Sequence, residues 1–210
     1  MILSAQTITG LSYMPRDEAR FGKPMIFPFM RKTVFQGLSF GLSPAGYDIR
    51  IKQDVCLFPG DFVLASAIEK FAMPRDVLGI VHDKSTLARR GLSVFNTVIE
   101  PGWEGFLTLE LKNQGKEVIL LYAGSGVAQV VFHRLDMETT IPYDGKYQDQ
   151  ADEPVPAIME ETCHTSNGDG MTTPSSQFSL SLDLAEHSSA SQTGEKIPLK
   201  GELVFFNPRR

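Results

Sequence analysis

The chain is predicted to be all-β, a distorted β-barrel or jelly roll with a short N-terminal helix and a C-terminal extension. Three observations predict this fold class. Segments 47–52, 61–67, 77–81, 105–112, 117–122 and 126–134 have ordinary strand length and strand-type composition. Turns rich in Pro, Gly and Asp separate them, among them Pro59-Gly60-Asp61, Pro74-Arg75-Asp76 and Pro101-Gly102. Little of the remaining chain reads as helix, and regularly spaced short strands with little helix imply a barrel or jelly roll.

Taken in order, Ser4 can cap a short helix running through about Ile8, with Gly10 as its stop. The strands at 47–52, 61–67 and 77–81 follow, and a second short helix begins around Lys84 and ends at Gly91. In the strand at 105–112, period-two alternation puts Phe106, Thr108, Glu110 and Lys112 on one face. Leu107, Leu109 and Leu111 take the other, so Glu110 projects from a strand whose opposite face is core. After Gln150 the character changes. Asp152, Glu153, Glu160 and Glu161, with Pro154 and Pro156 among them, make an acidic link, and 162–195 is rich in Ser, Thr and Gly. Segment 197–206 is apolar enough for a last strand or a tail docked on the surface. The expected organisation is therefore a domain at 1–154 and an extension at 155–210.

With 210 residues, 42% of them hydrophobic and 21% charged, the chain can bury one good core. A net charge of −5 argues against a nucleic-acid surface, which must neutralise many phosphates at once. A small anion needs only a local cluster such as Lys84, Arg89 and Arg90. No apolar run has membrane length and the N-terminus lacks a secretion pattern, so no membrane partner and a cytoplasmic location are expected. Cys56 and Cys163 read as two free thiols.

Several chemistries find no support. His82–Thr86 resembles the end of a phosphate-binding P-loop, but the residues before it lack the glycines that would let backbone amides wrap a phosphate. The zinc deaminase pattern H-x-E…P-C-x-x-C is absent, and His82, His133, His164 and His187 are scattered. No G-x-S-x-G nucleophile elbow occurs. What stands out is a cationic, hydroxyl-rich turn (Lys84, Ser85, Thr86, Arg89) a short distance before a strand carrying Glu110. A partly desolvated glutamate can hold a pKa suited to moving protons near neutrality. Trp103, the only tryptophan, is expected to anchor the Pro101-Gly102 turn.

Six ordered blocks carry a family resemblance: PMIFPF at 24–29, GYDIRI at 46–51, KSTLARRGL at 84–92, EPGWEGFLTLEL at 100–111, GVAQVVF at 126–132 and GKYQDQ at 145–150. On these the chain resembles the dCTP deaminases, the zinc-independent branch of the trimeric dUTPase superfamily. The resemblance implies a distorted β-barrel, a homotrimer with sites between subunits, dCTP as substrate, and dTTP as a candidate feedback inhibitor. It implies Mg²⁺ carried on the triphosphate and no zinc. Glu110 matches the glutamate that acts as general base on water and then returns protons to the base. Ser85 and Arg89 match groups that orient water and carboxylate, Arg89 also favouring the ionised carboxylate. Lys84, Ser85, Thr86, Leu87, Ala88 and Arg89 match the segment contacting the nucleotide, much of it the triphosphate. Thr108 and Leu109 match the nucleoside pocket, and Val98 and Glu100 belong to the loop that reads the base. Gln129, Tyr143, Lys146 and Gln150 match groups that close over sugar and phosphates.

The loop between Thr97 and Pro101 is shorter than in many such proteins, and nothing beyond about Pro154 has a counterpart. The alternative is a dUTP diphosphatase or a bifunctional enzyme. Against it, 162–210 carries no glycine-rich closing motif, whereas Glu100 could orient a water toward the α-phosphate. A binding module that has lost its chemistry would not be expected to keep Ser85, Arg89 and Glu110 together.

Overall fold

A computed structural model describes residues 1–13, 23–95 and 97–160. A helix, α1 (Ala5–Ser12), leads into β1 (Ile26–Phe27), β2 (Thr33–Phe35), β3 (Leu38–Ser43), β4 (Gly46–Arg50), β5 (Val55–Leu57), β6 (Phe62–Ala72) and β7 (Val77–Asp83). A one-turn helix α2 (Ser85–Ala88) follows, then β8 (Leu92–Val94), β9 (Val98–Ile99), β10 (Glu104–Asn113), β11 (Ile119–Leu121) and β12 (Gly126–Arg134).

Two antiparallel sheets carry the fold. One runs β1-β6-β10-β8 and the other β2-β3-β4-β12-β7-β9, with β11 and β5 forming a separate ribbon. Their apolar faces meet: Phe71 on β6 and Phe132 on β12 stack with ring centroids 6.4 Å apart. Tyr47, Ile49, Phe71 and Phe132 are fully buried, each burial contributing about 1.5–3 kcal/mol before ordering entropy is subtracted. A bridge between Ile51 and Ala67 and the buried pair Arg50–Glu69 tie the end of β4 to β6. The described residues belong to one compact unit.

The all-β class and all six expected strands are present, with three differences that have physical causes. Helix α1 runs two residues past Gly10, where a side chain would meet nothing within 4 Å. A solvent-facing glycine weakens a helix by about 1 kcal/mol relative to alanine without ending it. Ser4 occupies the cap position, but its hydroxyl meets the Thr7 hydroxyl at 3.3 Å rather than a backbone N–H. Strand β6 continues to Ala72 instead of ending near Ala67. Glu69 falls inside this continuation, where its carboxylate is buried and accepts from the Arg50 backbone N–H at 2.9 Å and from Arg50 Nε at 2.7 Å.

Short strands β1, β2, β3, β5, β8 and β9 are additions to the expected set. Helix α2 ends at Ala88 with Arg89 as its cap, short of the expected stop at Gly91, which takes φ +92 in the left-handed region two residues on. Packing continues past the expected boundary at 154, since the Val155 N–H donates to Thr108 Oγ1 at 3.0 Å and the Ile158 N–H to Tyr147 Oη at 2.9 Å. The expected last strand at 197–206, the Ser/Thr/Gly-rich stretch, Cys163, His164 and His187 lie outside the described residues. Cys56 is a free, exposed thiol. No helix among the described residues is long and apolar enough to cross a membrane.

Candidate active site

Strand β10 alternates strictly between half-buried and buried positions from Glu104 to Asn113, which aims Thr108 and Glu110 away from the core. Antiparallel register sets Glu110 opposite Leu64 and Lys112 opposite Phe62 on β6, and directly opposed residues share a face. Glu110 therefore sits among apolar neighbours at one wall of a cavity of about 510 Å³. Burial raises its carboxyl above the ordinary glutamate range, offset in part by its own backbone N–H. Thr97, Val98, Ile99 and Glu100 form a second wall, with Trp103, Tyr143 and Tyr147 supplying aromatic surface.

The segment after β12 closes the remaining side. Gly105, with φ +151, lets it approach: a Cβ there would stand 2.7 Å from the Gln150 backbone nitrogen. The Phe106 N–H donates to the Gln150 carbonyl at 3.1 Å. Trp103 donates its indole N–H to the Tyr147 carbonyl at 2.6 Å. Gln148 Oε1 accepts the Glu104 N–H at 2.9 Å, while its Nε2 donates to the Gly102 carbonyl at 3.0 Å. Trp103 is thus the expected loop anchor and part of the cavity lining as well.

Of the site residues expected from sequence, Val98, Glu100, Thr108, Glu110, Tyr143 and Gln150 line this one cavity. Leu109 does not: its side chain is buried on the core face of β10. Lys146 is not part of the lining; its ammonium lies 5.5 Å from the centre of the Tyr147 ring and 3.6 Å from Glu160. The α2 segment is elsewhere. Ser85, Thr86, Ala88 and Arg89 are exposed, Leu87 is buried, and Thr86 and Leu87 border a different depression with Arg90, Leu38 and Tyr122. Among the described residues, no lysine or arginine lines the cavity around Glu110.

Lys84, expected on phosphate, is instead buried in an ion pair with Asp48 and reaches Ser39 Oγ at 3.1 Å. Gln129 donates to the other Asp48 oxygen at 3.1 Å. These residues form one internal polar cluster beneath α2, in which the carboxylate of Asp48 satisfies both donors. Sequence reasoning missed Phe62, Leu64, Tyr147 and Val155 as lining residues, because their placement depends on strand register and on the returning segment.

The family described as dCTP deaminase-like matches residues 47–135. A dCTP deaminase of Herpetosiphon aurantiacus is 39% identical over 167 residues, spanning 64% of this chain and 91% of its own length. The chain belongs to the dCTP deaminase family. Another member, from Campylobacter hominis, is 38% identical over 169 residues, spanning 65% of this chain and 89% of its own. Among solved structures, native EIAV dUTPase is 23% identical with a TM-score of 0.44, covering 58% of this chain and 98% of its own. Glu110, Thr108 and Glu100 of this dCTP deaminase family member all fall inside the matched segment.

Proposed function

We propose that the protein converts dCTP and water to dUTP and ammonia, feeding the synthesis of pyrimidine deoxynucleotides. The observation that carries this reading is the half-buried carboxylate of Glu110 on the wall of a nucleoside-sized, aromatic-lined cavity, in a chain of this family. Glu110 takes one proton from water as the water oxygen attacks C4 of the cytosine ring, and delivers it to N3. It then takes the remaining proton from the C4 hydroxyl and gives it to the amine, which leaves as ammonia as C4 becomes a carbonyl. Trp103, Tyr143 and Tyr147 bound the apolar part of the cavity, and the returning segment limits the access of bulk water.

A triphosphate needs cations, and the described residues that line the cavity include none. This favours a site completed by a second copy, with Ser85, Thr86, Arg89 and Arg90 of one subunit facing Glu110 of the next in a homotrimer. Arg89 then holds the carboxylate ionised, Ser85 orients the water, and magnesium enters bound to the substrate phosphates. Lys84, already paired with Asp48, acts by holding α2 in place. A bifunctional reading, in which dUTP is cleaved onward to dUMP and pyrophosphate, draws on Glu100, which lines the same cavity as Glu110.

The test is incubation of the purified protein with dCTP and magnesium, followed by separation of the products, with light scattering on the same sample. The expected outcome is dUTP, and a mass near three times 23.2 kDa. dUMP with pyrophosphate would establish the bifunctional reading, and unchanged dCTP would overturn both.

A further inference from the structure

Thr108 Oγ1 is the acceptor for two N–H donors from one segment: the side-chain Nε2 of Gln150 and the backbone of Val155, the latter at 3.0 Å. These donors stand five residues apart in sequence and converge on a single hydroxyl of the site strand. A hydroxyl oxygen has two acceptor lone pairs, so these two bonds use both. Around them the segment makes backbone contacts with the start of β10: Asp149 N–H to the Glu104 carbonyl at 2.9 Å and Phe106 N–H to the Gln150 carbonyl at 3.1 Å. Asp149 holds φ +55, in the left-handed region that aspartate adopts more readily than most residues.

On the proposal that dCTP occupies this cavity, we infer that Thr108 is a positioning residue. Its hydroxyl is the catch that holds residues 143–158 closed over the site, and Gln150 acts through that catch. The backbone contacts bring the segment to the edge of β10. The Thr108 hydroxyl adds a side-chain tie from that segment to the cavity face of the strand, two positions from Glu110. Valine has nearly the same shape as threonine and no acceptor, so Thr108→Val would leave both segment donors without their partner. Serine restores the oxygen.

Trp103 gives a readout independent of turnover. It is the only tryptophan, is 5% exposed, and its indole N–H is bonded to Tyr147 of the same segment. In the full chain, Thr108→Val should raise acrylamide quenching of Trp103 at least about twofold. It should also raise KM for dCTP about tenfold, the scale of one lost hydrogen-bond partner, with kcat within about threefold of wild type. Thr108→Ser should return both values to near wild type. Gln150→Leu, which removes the same bond from the other side, should repeat the valine phenotype and serves if Thr108→Val does not fold. Wild-type quenching and KM in either folded variant would overturn the inference, as would a loss confined to kcat, which would put the hydroxyl on the reacting atoms. If dCTP is not the substrate, wild type shows no turnover, while the quenching of the variants still decides the role of Thr108.

Discussion

Glu110→Gln is expected to lower kcat by at least about 100-fold while dCTP still binds, because the amide preserves shape and removes basicity. Near-normal turnover would remove Glu110 from the mechanism. The fold should not suffer. Burial raises the carboxyl pKa in the folded chain, so the ionised form costs stability that is lost as pH rises through the folded value, and glutamine carries no such cost. At neutral pH the variant should therefore melt no lower than wild type, which separates lost chemistry from lost structure. The same shift sets the pH profile. A general base must be ionised, so kcat/KM should rise with pH along a limb that Glu110→Gln abolishes. On the proposed assembly, in which Arg89 of a neighbouring copy faces Glu110, its guanidinium would pull that limb downward against the effect of burial. Arg89→Ala should accordingly move the limb to higher pH and lower kcat, and an unmoved limb would place Arg89 away from the carboxylate.

The largest stability effect is expected at Glu69. Its carboxylate is fully buried between the sheets and accepts both the backbone N–H and Nε of Arg50. Glu69→Ala would strand the guanidinium in a site where its Nη2 already lacks a partner. Breaking a buried pair from one side costs about 3–5 kcal/mol, which for a domain of this size lowers Tm by roughly 6–20 °C. Replacing both members, Arg50→Met with Glu69→Leu, should recover most of that loss, since two apolar side chains leave no charge behind. Scanning calorimetry of the three proteins measures this directly. A single variant that melts within a degree or two of wild type would show that the pair does not hold β4 to β6.

Glu69 also marks where the sequence stops being legible. Local alternation was enough to orient β10, because Leu107, Leu109 and Leu111 announce one buried face and leave Glu110 on the other. The same reasoning ends β6 too early, since a charged residue at a buried position makes sense only with its partner on another strand. Lys84 repeats the lesson. It reads as a phosphate ligand beside Ser85 and Thr86, and its partner Asp48 lies 36 residues back. The cavity shows both sides of this limit. Glu100, Thr108 and Gln150 lie in the family motifs and Val98 and Tyr143 beside them, while Phe62 and Leu64, which desolvate Glu110, enter only through the pairing of β6 with β10. Short strands such as β2, three exposed residues long, carry no pattern of their own and exist because β3 pairs with them.

The separation of Glu110 from the cationic turn within one chain bears on inheritance as well as on catalysis. When one copy supplies the carboxylate and another the guanidinium, Glu110→Gln and Arg89→Ala damage opposite halves of a shared centre, and neither defect need be recessive or dominant in the ordinary sense. Two dead proteins, unfolded together and reassembled at random, should regain about one quarter of the intact centres, whereas either protein reassembled alone should regain none. A cell carrying both lesions on separate gene copies would then retain an activity that neither copy encodes.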